Sequence, residues 1–221
     1  MSKRKRPSDG ISASQQQQQQ VATSYGVLLY RKVNCSQGHD DGDDDDKNRN
    51  NNANNDNNNE EKTNKKKKIQ FLLGMIPQRN WWTVFKGLPD NNDEKEEEET
   101  PYETALREFE EETGTKGLLS KIEPEHTLTG SVNKYKKLEI YLQDGSNFDE
   151  SKFDLSKVVK IDSGYMKGQP EIIKIQWLTL DEALITGMDG GAKIYKSQQH
   201  ILKQAHDFLS TQIDDNDNND E

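Results

Sequence analysis

Residues 34–68 hold eleven asparagines, nine acids and seven bases but only two hydrophobic residues, Cys35 and Ala53. So polar a stretch cannot bury enough surface to offset the entropy of ordering its backbone, and it reads as a disordered insert. The apolar residues on either side must then meet across it. Ser24–Tyr30 and Ile69–Ile76 are apolar runs of strand length, the two arms of a hairpin whose turn has been lengthened. Loop-closure cost grows only with the logarithm of length, so the hairpin tolerates the addition.

Both ends of the chain yield to the same reasoning. Residues 1–22 run from the basic cluster Lys3–Arg6 through a glutamine tract, Gln15–Gln20, and residues 214–221 contain no hydrophobic residue. What remains is one domain, 23–213, carrying the insert 34–68 and an acidic loop at 88–98. The overall 29% hydrophobic content is low against the roughly 45–50% of globular chains because it averages that domain with its additions.

A formal charge of −10, from 30 basic and 40 acidic residues, argues against a general nucleic-acid coat, which needs a basic face, but not against a small anionic ligand. A small-molecule partner is therefore expected and no specific nucleic acid. The single cysteine excludes a disulfide framework or a cysteine zinc site and suits a reducing compartment. No apolar run approaches the roughly 18 residues of a membrane span and no signal region opens the chain, so a soluble, cytoplasmic protein is expected. Lys3–Arg6 reads either as a nuclear-localisation signal or as an ordinary charged terminus. The oligomeric state is not readable.

The clearest local structure begins at Thr100. Thr100 as N-cap, Pro101 at the first helical position and Glu103 closing a capping box start a helix that Gly114 ends. Tyr102, Ala105, Leu106 and Phe109 recur at helical spacing as a packing stripe. Glu108, Glu111 and Glu112 stand at i, i+3 and i+4, so their carboxylates fall on one side of the helix, and Arg107 is placed to orient one of them. An acidic face can simply be solvated. On a firmly capped and packed helix, however, such oxygens suit a hard divalent cation such as Mg²⁺ or Mn²⁺. Elsewhere Trp81–Lys86, Leu138–Leu142 and Ile172–Leu180 read as strands, Asp181–Leu184 as a short helix and Ile194–Ile213 as a closing helix.

Glu99, Arg107, Glu108, Phe109, Glu111, Glu112 and Gly114 together resemble the Nudix box, G-x5-E-x7-R-E-U-x-E-E-x-G-U, with U a bulky aliphatic residue. Six fixed positions match without a gap from Glu99 onward, a coincidence on the order of one in ten million per starting point. Three positions depart from the pattern. The box glycine is best matched by Gly87, which leaves eleven residues before Glu99 where the family has five; Thr115 stands at the final aliphatic position; and Phe85 replaces a proline common in the strand. None of these removes a carboxylate.

The resemblance implies an α/β fold, an α/β/α sandwich with a mixed sheet, and hydrolysis of a phosphoanhydride in a nucleoside diphosphate joined to another group, with Mg²⁺ or Mn²⁺ as cofactor. It implies Glu111 and Glu112 as first metal ligands, Glu108 as third ligand or general base, Arg107 as the orienter of Glu111, and Gly87 at the same centre. Glu99 would be structural or bind an outer ion. Glu171, six residues before Trp177, occupies the place of a further ligand outside the box. Glu103–Glu108, Phe71–Leu73, Trp82 and Thr83 are similar to the diadenosine tetraphosphate hydrolase branch, and the Lys134–Lys137 segment resembles a lysine-bearing strand edge there. Lys86, Lys136, Lys137 and Trp82 are accordingly the substrate-side candidates, Trp82 as a surface for a base. A diphosphoinositol polyphosphate or nucleoside triphosphate hydrolase shares the box, and a non-catalytic nucleotide-binding module is the rival from another class.

Overall fold

The structure, a computed structural model, describes residues 21–34, 67–78, 81–90, 99–119, 123–184 and 193–217. Lys3–Arg6, the glutamine tract, insert residues 35–66 and acidic residues 91–98 lie outside the described residues. β1 (Ala22–Asn34) explains the layering. Its run Val27–Tyr30 is apolar at consecutive positions, and successive strand side chains point to opposite faces, so both faces must be covered. Leu28 and Tyr30 enter one core with Phe71, Leu73 and Leu202; Val27 and Leu29 enter another with Leu72, Phe85 and Phe109. Helix α1 (Pro101–Thr113) covers the second core, and α2 (Leu180–Leu184) with α3 (Lys196–Asp217) covers the first. The fold is thus an α/β/α sandwich.

Its sheet is mixed. β1 runs parallel to β6 (Lys136–Asp144), which pairs antiparallel with β5 (His126–Asn133). On its other edge β1 pairs antiparallel with β2 (Lys67–Ile76) from Tyr30 to Asn34, and with β4 (Phe85–Gly87) from Tyr25 to Val27. β2 in turn holds β7 (Lys174–Thr179) and β3 (Trp81–Thr83), and β8 (Lys193–Ile194) lies parallel to β3. One partner of β1 is thus exchanged for another part-way along, and Val84 crosses the opening between β3 and β4.

Several boundaries move. The hairpin across the insert forms as expected, but Asn34 pairs with Lys67, so Asn34, Lys67 and Lys68 belong to strands; a ladder needs backbone groups, not apolar side chains. The expected strand Trp81–Lys86 is broken at Val84. β5 is unforeseen, since Leu128 is its one buried side chain. Ile194 pairs in β8 beside Trp82, and the closing helix begins only at Lys196 and continues to Asp217, into the expected tail. Lys136 and Lys137 begin β6, which is flanked by β5 and β1, so they do not lie on a sheet edge.

Candidate active site

The helix that carries the acids is fixed at both ends. Glu103 N donates to Thr100 Oγ1 at 3.3 Å and Glu103 Oε2 accepts from Thr100 N at 2.9 Å, the reciprocal capping box expected from the sequence. Gly114 takes the left-handed conformation, φ 68°, and donates its N–H to Glu110 O at 2.8 Å. In between, Ala105 and Phe109 are fully buried, with the Phe109 ring 5.1 Å from Phe85. Burying a phenylalanine contributes roughly 1.5–3 kcal/mol, so the carboxylate face has a set orientation towards β4.

Gly87 meets that face directly. A Cβ placed on it would lie 2.0 Å from Glu108 Oε2, so any side chain here displaces the carboxylate. This contact supports the register chosen for the box glycine across eleven residues. One residue earlier, Lys86 N donates to Glu112 Oε2 at 2.8 Å. Arg107 occupies the outer side: Nη1 donates to Glu108 Oε1 at 2.9 Å and to Glu111 Oε2 at 3.1 Å, and Nε to Glu99 Oε1 at 2.9 Å. Glu99 also accepts from Thr104 Oγ1 at 3.0 Å, which makes it part of the scaffold around Arg107. Burial alone would raise the Glu99 pKa, but these bonds hold it below the usual carboxylate value.

Glu171 arrives from the other direction. Val159 N donates to Glu111 O at 3.0 Å and Glu171 N to Val159 O at 2.9 Å, which stitches the segment before β7 onto α1. Its carboxylate feels the charges of Lys86, Glu111 and Asp162, and burial chiefly raises its pKa. Burial likewise raises Glu108, with Arg107 opposing and Glu111 and Glu171 reinforcing. Glu112 is the extreme case: burial, reinforced by Glu108 and Glu171 and opposed by Lys86, pushes it up to about 8. Lys136 is lowered by burial and by the charge of Lys86, so these two cations lie near each other.

Glu108 and Glu112 therefore lie within electrostatic reach of each other and of Glu171, and Glu111 within reach of Glu108 and Glu171. They do not stand as a finished cage. Among the described residues, no three His, Cys, Asp or Glu side chains are gathered so as to hold a metal ion. Glu108 and Glu111 accept from Arg107, and Glu112 from Lys86 N. The donor chemistry fits a hard divalent ion: every candidate side-chain donor is a carboxylate oxygen, and a cation beside buried Glu112 would favour its charged form.

One substrate-side expectation needs correcting. Trp82 is 3% exposed, enclosed by the α3 core with Lys174 Nζ 5.7 Å above its ring, which leaves no face for a base. Its neighbour Trp81 is half-buried, edge-on to Tyr195 at 4.8 Å. Lys136 lies beside Lys86, while Lys137 projects from the opposite face of β6, the face whose Tyr141 packs with α1. Sequence reasoning also missed Gln198 and Asp162. Gln198 carried a signal, a polar residue on the apolar stripe of Ile201, Leu202, Ala205 and Leu209; Asp162 carried none.

Carboxylates crowded on a capped helix, with Lys86 acting on Glu112 and Glu171, make a site suited to an anionic substrate escorted by a cation. A family profile described as NUDIX domain matches residues 63–198, more than half of the chain. The protein belongs to the Nudix family, and its sandwich is the Nudix fold. β1, which lies outside the matched segment, supplies the strand on which β2, β4 and β6 are assembled. Among curated proteins none matches. Two solved structures are similar: a C. elegans Ap4A hydrolase binary complex (20% identity, 86% of this chain and 99% of that one covered, TM-score 0.48) and C. elegans Ap4A hydrolase (19% identity, 86% and 98% covered, TM-score 0.43). No helix among the described residues is long and apolar enough to cross a membrane.

Proposed function

We propose that this Nudix hydrolase cleaves a phosphoanhydride in a dinucleoside polyphosphate of the diadenosine tetraphosphate kind, giving ATP and AMP, with Mg²⁺ or Mn²⁺ bound. The observation that carries the reading is the carboxylate group on α1, joined by Glu171, with Lys86 close to Glu112 and Glu171 and Lys136 beside Lys86. Glu111 and Glu112, with Glu108, Glu171 and the Gly87 backbone around them, would hold the ion. When bound, it supplies charge neutralisation at the phosphate oxygens and a more acidic water.

The chain's own groups do the rest. Glu108 and Glu111 share the reacting region, one to accept the proton of the attacking water and the other to remain on the ion, and the raised pKa of Glu108 suits proton acceptance. Arg107, bonded to both, keeps the pair in place. Lys86 and Lys136 take the phosphates that are not cleaved. Two such cations suit a linear polyphosphate better than an inositol polyphosphate, which needs many more. The similarity of Glu103–Glu108 and Phe71–Leu73 to the tetraphosphate branch supports the substrate class.

The test is a panel of dinucleoside polyphosphates, nucleotide sugars, dNTPs and diphosphoinositol phosphates assayed with Mg²⁺, products being separated by chromatography. Diadenosine tetraphosphate should give ATP and AMP at the highest kcat/KM, and Glu111→Gln should abolish turnover while leaving the circular dichroism spectrum unchanged. Preference for a diphosphoinositol substrate, or wild-type rates in Glu111→Gln, would refute the reading. A metal-bound protein that hydrolyses nothing on the panel would favour the binding-module alternative.

A further inference from the structure

Where the chain crosses from β3 to β4, Val84 belongs to neither ladder. It is fully buried, so its N–H must find a partner away from water. α3 provides it. Val84 N donates to Gln198 Oε1 at 2.9 Å, Gln198 Nε2 donates to Thr83 Oγ1 at 3.0 Å, and Thr83 Oγ1 donates to Val84 O at 3.0 Å. Gln198 is only 2% exposed and sits where the helix would otherwise place an apolar side chain; a buried amide there is costly unless both its ends are bonded. The flanking strands have three residues each, so their own ladders fix the ribbon weakly. Two and three residues beyond the crossing, the same ribbon sets Lys86 N on Glu112 and Gly87 against Glu108.

We propose that Gln198 is a positioning residue for the carboxylate site: by clamping the crossing at Val84 it fixes how Lys86 and Gly87 meet Glu112 and Glu108. The inference deepens the proposed function and rests on its reading of these acids as a divalent-cation site. Residues that orient a metal's ligands from behind change metal affinity about 10–100-fold when lost, whereas a residue that only packs changes stability.

Gln198→Met keeps the length of the side chain and removes both bonds. Leu202→Ala, fully buried one turn along α3, is the control for lost stability. Mn²⁺ binding to the full chain is measured by electron paramagnetic resonance well below both unfolding midpoints, with amide hydrogen exchange at Val84 and Lys86 in parallel. Gln198→Met should bind Mn²⁺ about tenfold more weakly and exchange both amides faster, while Leu202→Ala binds as wild type. Equal Mn²⁺ affinity in Gln198→Met and wild type, or equal weakening in both variants, overturns the proposal. If wild type binds no Mn²⁺, the metal reading fails; unchanged exchange at Lys86 overturns the role of Gln198 whatever the metal does. Should Gln198→Met not fold, Thr83→Val, which loses both bonds of the Thr83 hydroxyl but keeps that of Val84 N to Gln198, is read the same way with a smaller weakening expected.

Discussion

Glu112→Gln should make the metal-free protein more stable at alkaline pH. Glu112 is buried with Lys86 N as its hydrogen-bond donor, and burial, with Glu108 and Glu171 adding, raises its carboxyl from 4.5 to about 8. Between those two values the native protein binds one more proton than the unfolded chain. Stability is therefore complete below about pH 4.5 and declines as pH rises towards 8, by up to about 1.4 kcal/mol per pH unit. The whole interval costs about 5 kcal/mol at most. Glutamine does not ionise and keeps an oxygen for Lys86 N–H. In chelator, urea denaturation from pH 5 to pH 9 should show the wild type losing stability more steeply than Glu112→Gln, with the curves closest at pH 5. Mg²⁺ should raise the wild type selectively, by about 2.7 kcal/mol at a hundredfold excess over its dissociation constant. Parallel pH profiles for the two proteins in chelator would refute the assignment of a buried, proton-bearing Glu112.

Gly87→Ala should lower kcat on the best substrate about 100-fold with an unchanged circular dichroism spectrum, because the new Cβ lies 2.0 Å from Glu108 Oε2 and a displacement of about 1 Å at a catalytic group costs that much. Thr100→Ala removes the acceptor for Glu103 N and should destabilise the protein by about 1 kcal/mol in urea denaturation. Replacing residues 35–66 by an Asn-Gly turn between Asn34 and Lys67, which already face each other, should leave kcat/KM unchanged. The insert joins β1 eight residues beyond Gly26, the partner of Lys86, about 26 Å along the strand.

How far the sequence could be read depended on where each determinant lies. Helix α1 was legible in full because its cap, stripe, stop and acids are all within one helical run, and β1 and β2 because their apolar runs are unbroken. Val84 was not, since Trp81–Lys86 reads as one strand and only the change of neighbour from β2 to β1 breaks it. Trp81 and Trp82, adjacent on a strand, must face opposite ways, but which of them is enclosed depends on α3 and Lys174, distant in sequence. The spacing of Glu108, Glu111 and Glu112 gave their common side; that Glu112 would be buried and drawn to Lys86 N is tertiary. A carboxylate's surroundings, not its periodicity, decide whether it is charged.

The box itself shows why a spacing rule can be broken without loss of its chemistry. Eleven residues separate Gly87 from Glu99 where the family pattern has five, and lengthening a loop that much costs only about 0.7 kcal/mol of closure entropy. More important is what holds the two ends. Arg107 Nη2 donates to Leu88 O at 2.9 Å, while Arg107 Nε and Nη2 both reach Glu99, at 2.9 and 3.3 Å. One guanidinium, itself fixed on α1, thus pins the residue after Gly87 and the acid that opens the helical half of the box. With both roots held from the same side chain, the number of residues between them does not bear on where Gly87 meets Glu108. The arginine of the box is in this protein as much a clasp for the loop as an orienter of Glu111, and that double duty is what allows an acidic insertion within a catalytic motif.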